Sequence, residues 1–225
     1  SLDEAVAVMK RLTHEGACFT IDVLGEEISS MDEAQFFLEE YIRVMQAIKA
    51  HGFDANISIK PTAFGLLIDP DLGFQNIRKL VEMAANEDMF VRLDMEDHRV
   101  TTDTINVVVA LHNEGLTNVG TVLQGRLFRT LADIGDLERT LGPGADYRIC
   151  KGIYLEPEDI SFTGYRDIVD GTNAAIDRMF EAGAYVGVAS HDMPVIEHTL
   201  SALKAHNMGP GIDDPRPNAG PARHH

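Results

Sequence analysis

Charged and polar residues recur at one place in this chain, the far end of an apolar run. Ile57-Ser58-Ile59 ends in Lys60, Phe90-Val91-Arg92-Leu93 in Asp94 and Val119-Gly120-Thr121-Val122-Leu123 in Gln124. Tyr147-Arg148-Ile149-Cys150 ends in Lys151, and Tyr185-Val186-Gly187-Val188-Ala189 opens into Ser190-His191-Asp192. Where parallel strands alternate with helices in a barrel, the active site is built at the carboxyl ends of the strands, so these residues read as one site. Lys60 is followed by Pro61. A surface lysine is the competing reading, but its apolar flank favours a side chain turned into the barrel mouth. Asp94 ends the next strand, and neighbouring parallel strands lie about 4.8 Å apart. An ion pair across that gap keeps Lys60 charged and able to hold a carboxylate.

The run Tyr147-Arg148-Ile149-Cys150-Lys151-Gly152-Ile153-Tyr154-Leu155-Glu156 is the richest. Period-two alternation puts Tyr147, Ile149 and Lys151 on one face and Arg148, Cys150 and Gly152 on the other, and Gly152 lets a ligand approach the backbone. Two cations so close together in a strand need an anionic or electron-rich partner. A structural salt bridge to Glu156 or Asp146 is the alternative to a ligand.

These residues need elements to hold them, and strand runs alternate with helical periodicity along the chain, the pattern of βα units. Helices are expected over 3–14, 31–51, and near 73–86, 101–114, 127–141, 164–182 and 194–206. Strands are expected over 17–23, 56–60, 90–94, 118–123, 146–151 and 185–189. Thr101-Thr102-Asp103 supplies capping oxygens for the third-unit helix, and Gly115 stops it. A closed barrel of this class has eight strands and roughly 250 residues, so six βα units stop two strands short. Residues 1–206 read as the barrel portion, and 207–225, rich in Pro and Gly, as an irregular tail.

With 19 Lys and Arg against 36 Asp and Glu, the formal charge of −17 argues against a nucleic-acid or anionic-membrane binder. Cys18 and Cys150 lie in apolar runs and read as buried free thiols in a reducing compartment. No run is long enough to span a membrane and no signal-peptide pattern is read, so a cytoplasmic location is expected.

Taken together the motifs resemble the proline dehydrogenase family, flavin-dependent enzymes that oxidise L-proline. Asp22-Val23-Leu24-Gly25-Glu26, Ser58-Ile59-Lys60, Leu93-Asp94-Met95-Glu96, Leu123-Gln124-Gly125, Arg148 to Tyr154 and Ala189-Ser190-His191-Asp192 are similar, in order, to the family's six strand-end motifs. The resemblance implies a distorted (βα)8, TIM-like α/β barrel that carries FAD. It implies Arg148 near flavin N5, where a cation stabilises the anionic reduced ring, and Gln124 hydrogen-bonded to the isoalloxazine. Lys151, Gly152 and Tyr154 would line the flavin, and Ser190 and His191 would reach its adenine or pyrophosphate end. Asp192 stands where the family often has a different polar residue. Lys60, paired with Asp94, would bind the carboxylate of proline. Hydride transfer to N5 would give 1-pyrroline-5-carboxylate, with a quinone taking the electrons and a peripheral membrane contact giving access to it. The family's last two strands and its final substrate-covering helix have no counterpart in 207–225.

Three readings compete. A Schiff-base aldolase would use Lys60 or Lys151, but it needs an amine of depressed pKa, and Asp94 acts the other way on Lys60. A metal hydrolase would use Asp94, Asp97, His98 and His191, although its carboxylates crowd one loop. The third is an inactive scaffold that keeps the barrel portion without turnover.

Overall fold

The computed structural model describes residues 1–206. The 207–225 segment, expected to be irregular, lies outside the described residues. The described residues form two compact units, Ser1–Asp94 with Thr102–Val119, and Met95–Thr101 with 120–206. The described strands are β1 (Phe19–Asp22), β2 (Ala55–Ile59), β3 (Val91–Leu93), β4 (Val119–Gln124), β5 (Asp146–Cys150) and β6 (Tyr185–Val188). The helices are α1 (Leu2–Thr13), α2 (Met31–His51), α3 (Pro70–Ala85), α4 (His98–Asn113), α5 (Thr130–Leu141), α6 (Tyr165–Glu181) and α7 (Met193–Ala205), with a 3-10 turn at Pro61–Phe64. The expected six βα units are all present.

In the first unit β1 pairs with β2 and β2 with β3, all parallel, with Asp22 opposite Ser58 and Ser58 opposite Arg92. The longest helix, α2, has its expected bounds because both ends carry strong signals. The Ser30 hydroxyl accepts from Glu33 N, Asp32 and Glu33 sit in the first turn, and Gly52 closes the helix in the left-handed region at φ 63°. Ala34, Leu38, Tyr41, Met45 and Ile48 recur at three- and four-residue steps and are buried where α2 lies on α3 and β2. Leu38 is fully buried, and withdrawing such a side chain from water stabilises by about 1.5–3 kcal/mol.

In the second unit β4 pairs with β5 and β5 with β6, again parallel. Every β4 residue is buried, whereas β5 alternates. Tyr147 and Ile149 are buried, and Arg148 and Cys150 are half-exposed on the opposite face, as period two requires. Helix α6 packs on α5, α7, β5 and β6.

Three helix starts differ from expectation. Helix α3 begins at Pro70 because Asp69 caps Leu72 N at 3.1 Å and Pro70 takes the first helical position. Helix α4 begins at His98, and its capping oxygen belongs to Asp97, which accepts from Arg99 N at 2.9 Å. Thr101 therefore lies inside the helix, its hydroxyl donating to Asp97 O at 3.2 Å. Helix α5 starts late, at Thr130, because residues 125–128 are bonded elsewhere. Gly125 N donates to Cys150 O, Arg126 N to Lys151 O and Phe128 N to Ile160 O.

The cysteines are free but not both buried: Cys150 is half-buried and Cys18 is exposed. Cys18 falls just before β1, and its thiol donates to Asp54 at 3.2 Å, a bond that pushes its pKa up.

Glycine lets α6 approach the turn after β4. A Cβ on Gly171 would fall 2.4 Å from Gly125 O. Gly171→Ala gains about 1 kcal/mol of helix propensity, but overpacking against backbone costs about 1–3 kcal/mol. The expected outcome is a lower urea midpoint at unchanged slope; a raised midpoint would contradict this packing.

Candidate functional site

Register alone gathers the first cluster. Asp22 and Ser58 face one another across β1 and β2, Lys60 lies two residues beyond Ser58, and Asp94 two beyond Arg92, the partner of Ser58 in β3. Period two therefore puts Asp22, Ser58, Lys60 and Asp94 on one face. Lys60 Nζ lies 3.0 Å from Asp22 Oδ2 and 3.8 Å from Asp94 Oδ2. Ser58 Oγ donates to Asp94 Oδ1 at 2.6 Å. The buried Tyr41 hydroxyl lies 2.8 Å from Asp22 Oδ1 and 2.7 Å from Ser58 O, and accepts from Val23 N. Burial, then the charge of Asp22, push the Tyr41 hydroxyl well above the ordinary tyrosine range, so it stays a neutral donor.

Burial works to lower the Lys60 pKa, but the Asp22 hydrogen bond and the charges of Asp22, Asp94 and Glu26 outweigh it and raise it. The ammonium is thus kept charged. The expected Lys60–Asp94 pair is present, with Asp22 as the closer partner. Asp22, Tyr41 and Ser58 are members that strand-end reasoning did not assign. Asp22 obeys the same rule, ending β1, whereas Tyr41 carries only the signal of a buried helix face.

The second unit holds the other expected residues in two groups. Gln124 is buried, its Nε2 donating to Glu96 O at 2.7 Å while Oε1 has no partner among the described residues. Cys150 is its register partner, and Arg148, two residues earlier, is matched with Val122 and Gly187, so Gln124, Cys150 and Arg148 share a face. Gly152 has φ 98°, and a Cβ there would fall 2.5 Å from Gln124 Oε1 and 2.7 Å from Arg126 Cδ. Tyr154 is half-buried, and its carbonyl accepts from Arg126 Nη1.

Lys151 belongs to the other group. Its ammonium lies 2.6 Å from Asp192 Oδ2 and over the Tyr165 ring, 5.3 Å from the centroid. Its anionic partner is thus Asp192, and neither Glu156 nor Asp146. The Tyr165 hydroxyl donates to Asp192 Oδ1 at 2.9 Å, and Ser190 Oγ accepts from Asp192 N at 3.1 Å. His191 is exposed beside them. Hydrogen bonds from Lys151 and then Tyr165 hold the Asp192 carboxyl below the ordinary aspartate value.

Asp97 is engaged by Arg99 at 2.6 Å and His98 by Glu156 at 2.6 Å. Among the described residues no group of three or more His, Cys, Asp or Glu is placed to hold a metal ion, and no helix is long and apolar enough to cross a membrane.

Comparison with known proteins gives one answer at three levels. A family model described as proline dehydrogenase matches residues 5–208. Proline dehydrogenase 1 of Bacillus subtilis subsp. natto is 32% identical over 208 residues, 92% of this chain and 68% of that protein. Proline dehydrogenase of Deinococcus radiodurans is 32% identical over 213 residues, 93% of this chain and 68% of its own length. Among solved structures, proline utilization A (PutA) from Bdellovibrio bacteriovorus, inactivated by N-propargylglycine, superposes with a TM-score of 0.85 at 22% identity. The match covers 93% of this chain and 26% of that one, and it shows the fold, α/β of the TIM-barrel type.

The Lys151–Asp192 pair sets a pH dependence. Because the folded Asp192 pKa is lowered, its contribution is fully present above the ordinary carboxylate value of 3.8 and lost as pH falls through the folded value. Thermal unfolding of the wild-type chain and Asp192→Asn should differ by a constant amount near neutrality and converge in acid; a gap that widens in acid would contradict the pairing. That local test leaves the kinship untouched: with a family model spanning residues 5–208 and enzymes 32% identical over nearly its whole length, the chain belongs to the proline dehydrogenase family of oxidoreductases.

Proposed function

We propose that the chain oxidises L-proline to 1-pyrroline-5-carboxylate with FAD as cofactor and a quinone as final acceptor. The observation that carries the reading is the Lys60 ammonium, held at the end of β2 between Asp22 and Asp94 in a chain of this family. In this reading residues 1–206 are the barrel portion, working in the cytoplasm with a peripheral membrane contact that gives access to the quinone.

Lys60 binds the carboxylate of proline. Two acidic neighbours keep its charge, and the Ser58 hydroxyl fixes the rotamer of Asp94. The second unit suits a flat heteroaromatic ring with its own N–H and carbonyl groups. It offers the orphaned, buried acceptor Gln124 Oε1, which has room against residue 152 only because that residue is glycine, and Arg148 half-buried on the same face as Gln124. Gln124, Arg148, Lys151, Gly152, Tyr154, Ser190 and His191 would hold FAD, with Arg148 placed to oppose negative charge on the ring. When bound, FAD supplies the two-electron hydride acceptor that no side chain provides. The raised Lys60 pKa argues against an aldolase, whose nucleophilic lysine must be neutral to attack.

Proline-dependent reduction of a dye or quinone analogue tests the reading; a flavin-loaded chain that reduces nothing would support the scaffold alternative. Lys60→Ala should raise the proline KM about tenfold or more, the cost of one charge-assisted hydrogen bond. An unchanged KM would remove Lys60 from the site. Arg148→Met should slow flavin reduction more than it lowers flavin content, and an equal loss of both would contradict its placement.

A further inference from the structure

The loop after β5 carries three of the residues proposed to hold FAD, Lys151, Gly152 and Tyr154. Apolar packing does not hold its intervening side chains in place. Ile153 and Leu155 are 87% and 96% exposed, so burial of these side chains contributes almost nothing to fixing the backbone between them. A polar clamp stands in its place. Arg126 N donates to Lys151 O at 3.0 Å, and Arg126 Nη1 reaches both Gly152 O, at 3.5 Å, and Tyr154 O. The clamp is itself fixed, since Gly125 N donates to Cys150 O and Phe162 N to Arg126 O, each at 2.8 Å.

We propose that Arg126 is the positioning residue of this loop, setting the Gly152–Tyr154 backbone and, through it, the strength of cofactor binding; this rests on the flavin reading above. Arg126 is buried at 8% exposure, and its Cγ and Cδ fill the space a Cβ on Gly152 would need. Its Nε and Gln124 Oε1 are both buried and without partners among the described residues. The spare acceptor and the arginine stem that leads to the spare donor thus meet at one glycine, and a ring edge carrying a carbonyl and an N–H has the groups to answer both. Guanidinium suits both tasks because Nη1, with two N–H groups, meets both carbonyls while Nε remains as a separate donor, whereas a lysine carries all its donors on one nitrogen.

The test compares the wild-type chain with Arg126→Met, which keeps the buried stem, and Arg126→Lys, which restores the charge. Hydrogen exchange on the cofactor-free chains and FAD titration are the two readouts. Arg126→Met should speed exchange at the 152–155 amides about tenfold or more and weaken FAD binding by a similar factor. Protection of β4 and α6 should be unchanged, and Arg126→Lys should recover part of both effects. Unchanged loop exchange, or exchange rising equally throughout the unit, would overturn the proposal. FAD bound as tightly by Arg126→Met as by the wild type would overturn it while leaving the flavin reading intact. A wild-type chain that takes up no FAD would sink the flavin reading itself.

Discussion

A lysine drawn part-way out of water loses hydration that only nearby anions replace, and the strand ends of the first unit are arranged around that requirement. Parallel register places Asp22, Ser58, Lys60 and Asp94 on one face before any side chain chooses a rotamer. The hydroxyls of Tyr41 and Ser58 then secure the two carboxylates. This explains why a fully buried tyrosine stands in the middle of α2: its ring belongs to the core and its hydroxyl to the site. A change in the packing of α2 on β2 is therefore felt at the Lys60 ammonium.

The second unit follows a different logic, with Arg126 set against backbone carbonyls and Lys151 against the Asp192 carboxylate. Against an overall charge of −17, Arg126, Arg148 and Lys151 concentrate positive charge around the β4 and β5 ends. Lys151 is matched by Asp192, and Arg126 commits Nη1 to the loop that Lys151 begins. Buried polar atoms left without partners are costly inside a protein, and Gln124 Oε1 and Arg126 Nε, both without partners among the described residues, are best understood as groups whose partner arrives with a ligand.

Much of this was legible in the sequence, and the exceptions have physical causes. Strand ends could be read because a parallel barrel-type strand is apolar until the residue that leaves it, so Lys60, Asp94, Gln124 and Lys151 announce themselves. Asp22 ends its strand in the same way, yet its pairing with Lys60 depends on a register no single strand encodes. Helix α2 has strong caps at both ends, and these local signals alone define its bounds. For α4, Thr101-Thr102-Asp103 offered three capping oxygens where Asp97 does the work, because the tertiary fold starts the helix a turn earlier. Arg126 carries no such signal, because an arginine just past a strand looks solvated until its carbonyl partners are brought in by the loop after β5.

Asp22 and Asp94 hold Lys60 as a cation. Nitrogen NMR of the lysine side chains, with Lys60 assigned by its substitution, measures that charge directly across pH. Lys60 should lose its proton only above the ordinary lysine value of 10.5. A neutral Lys60 amine at or below neutral pH would contradict it and return the aldolase chemistry to first place.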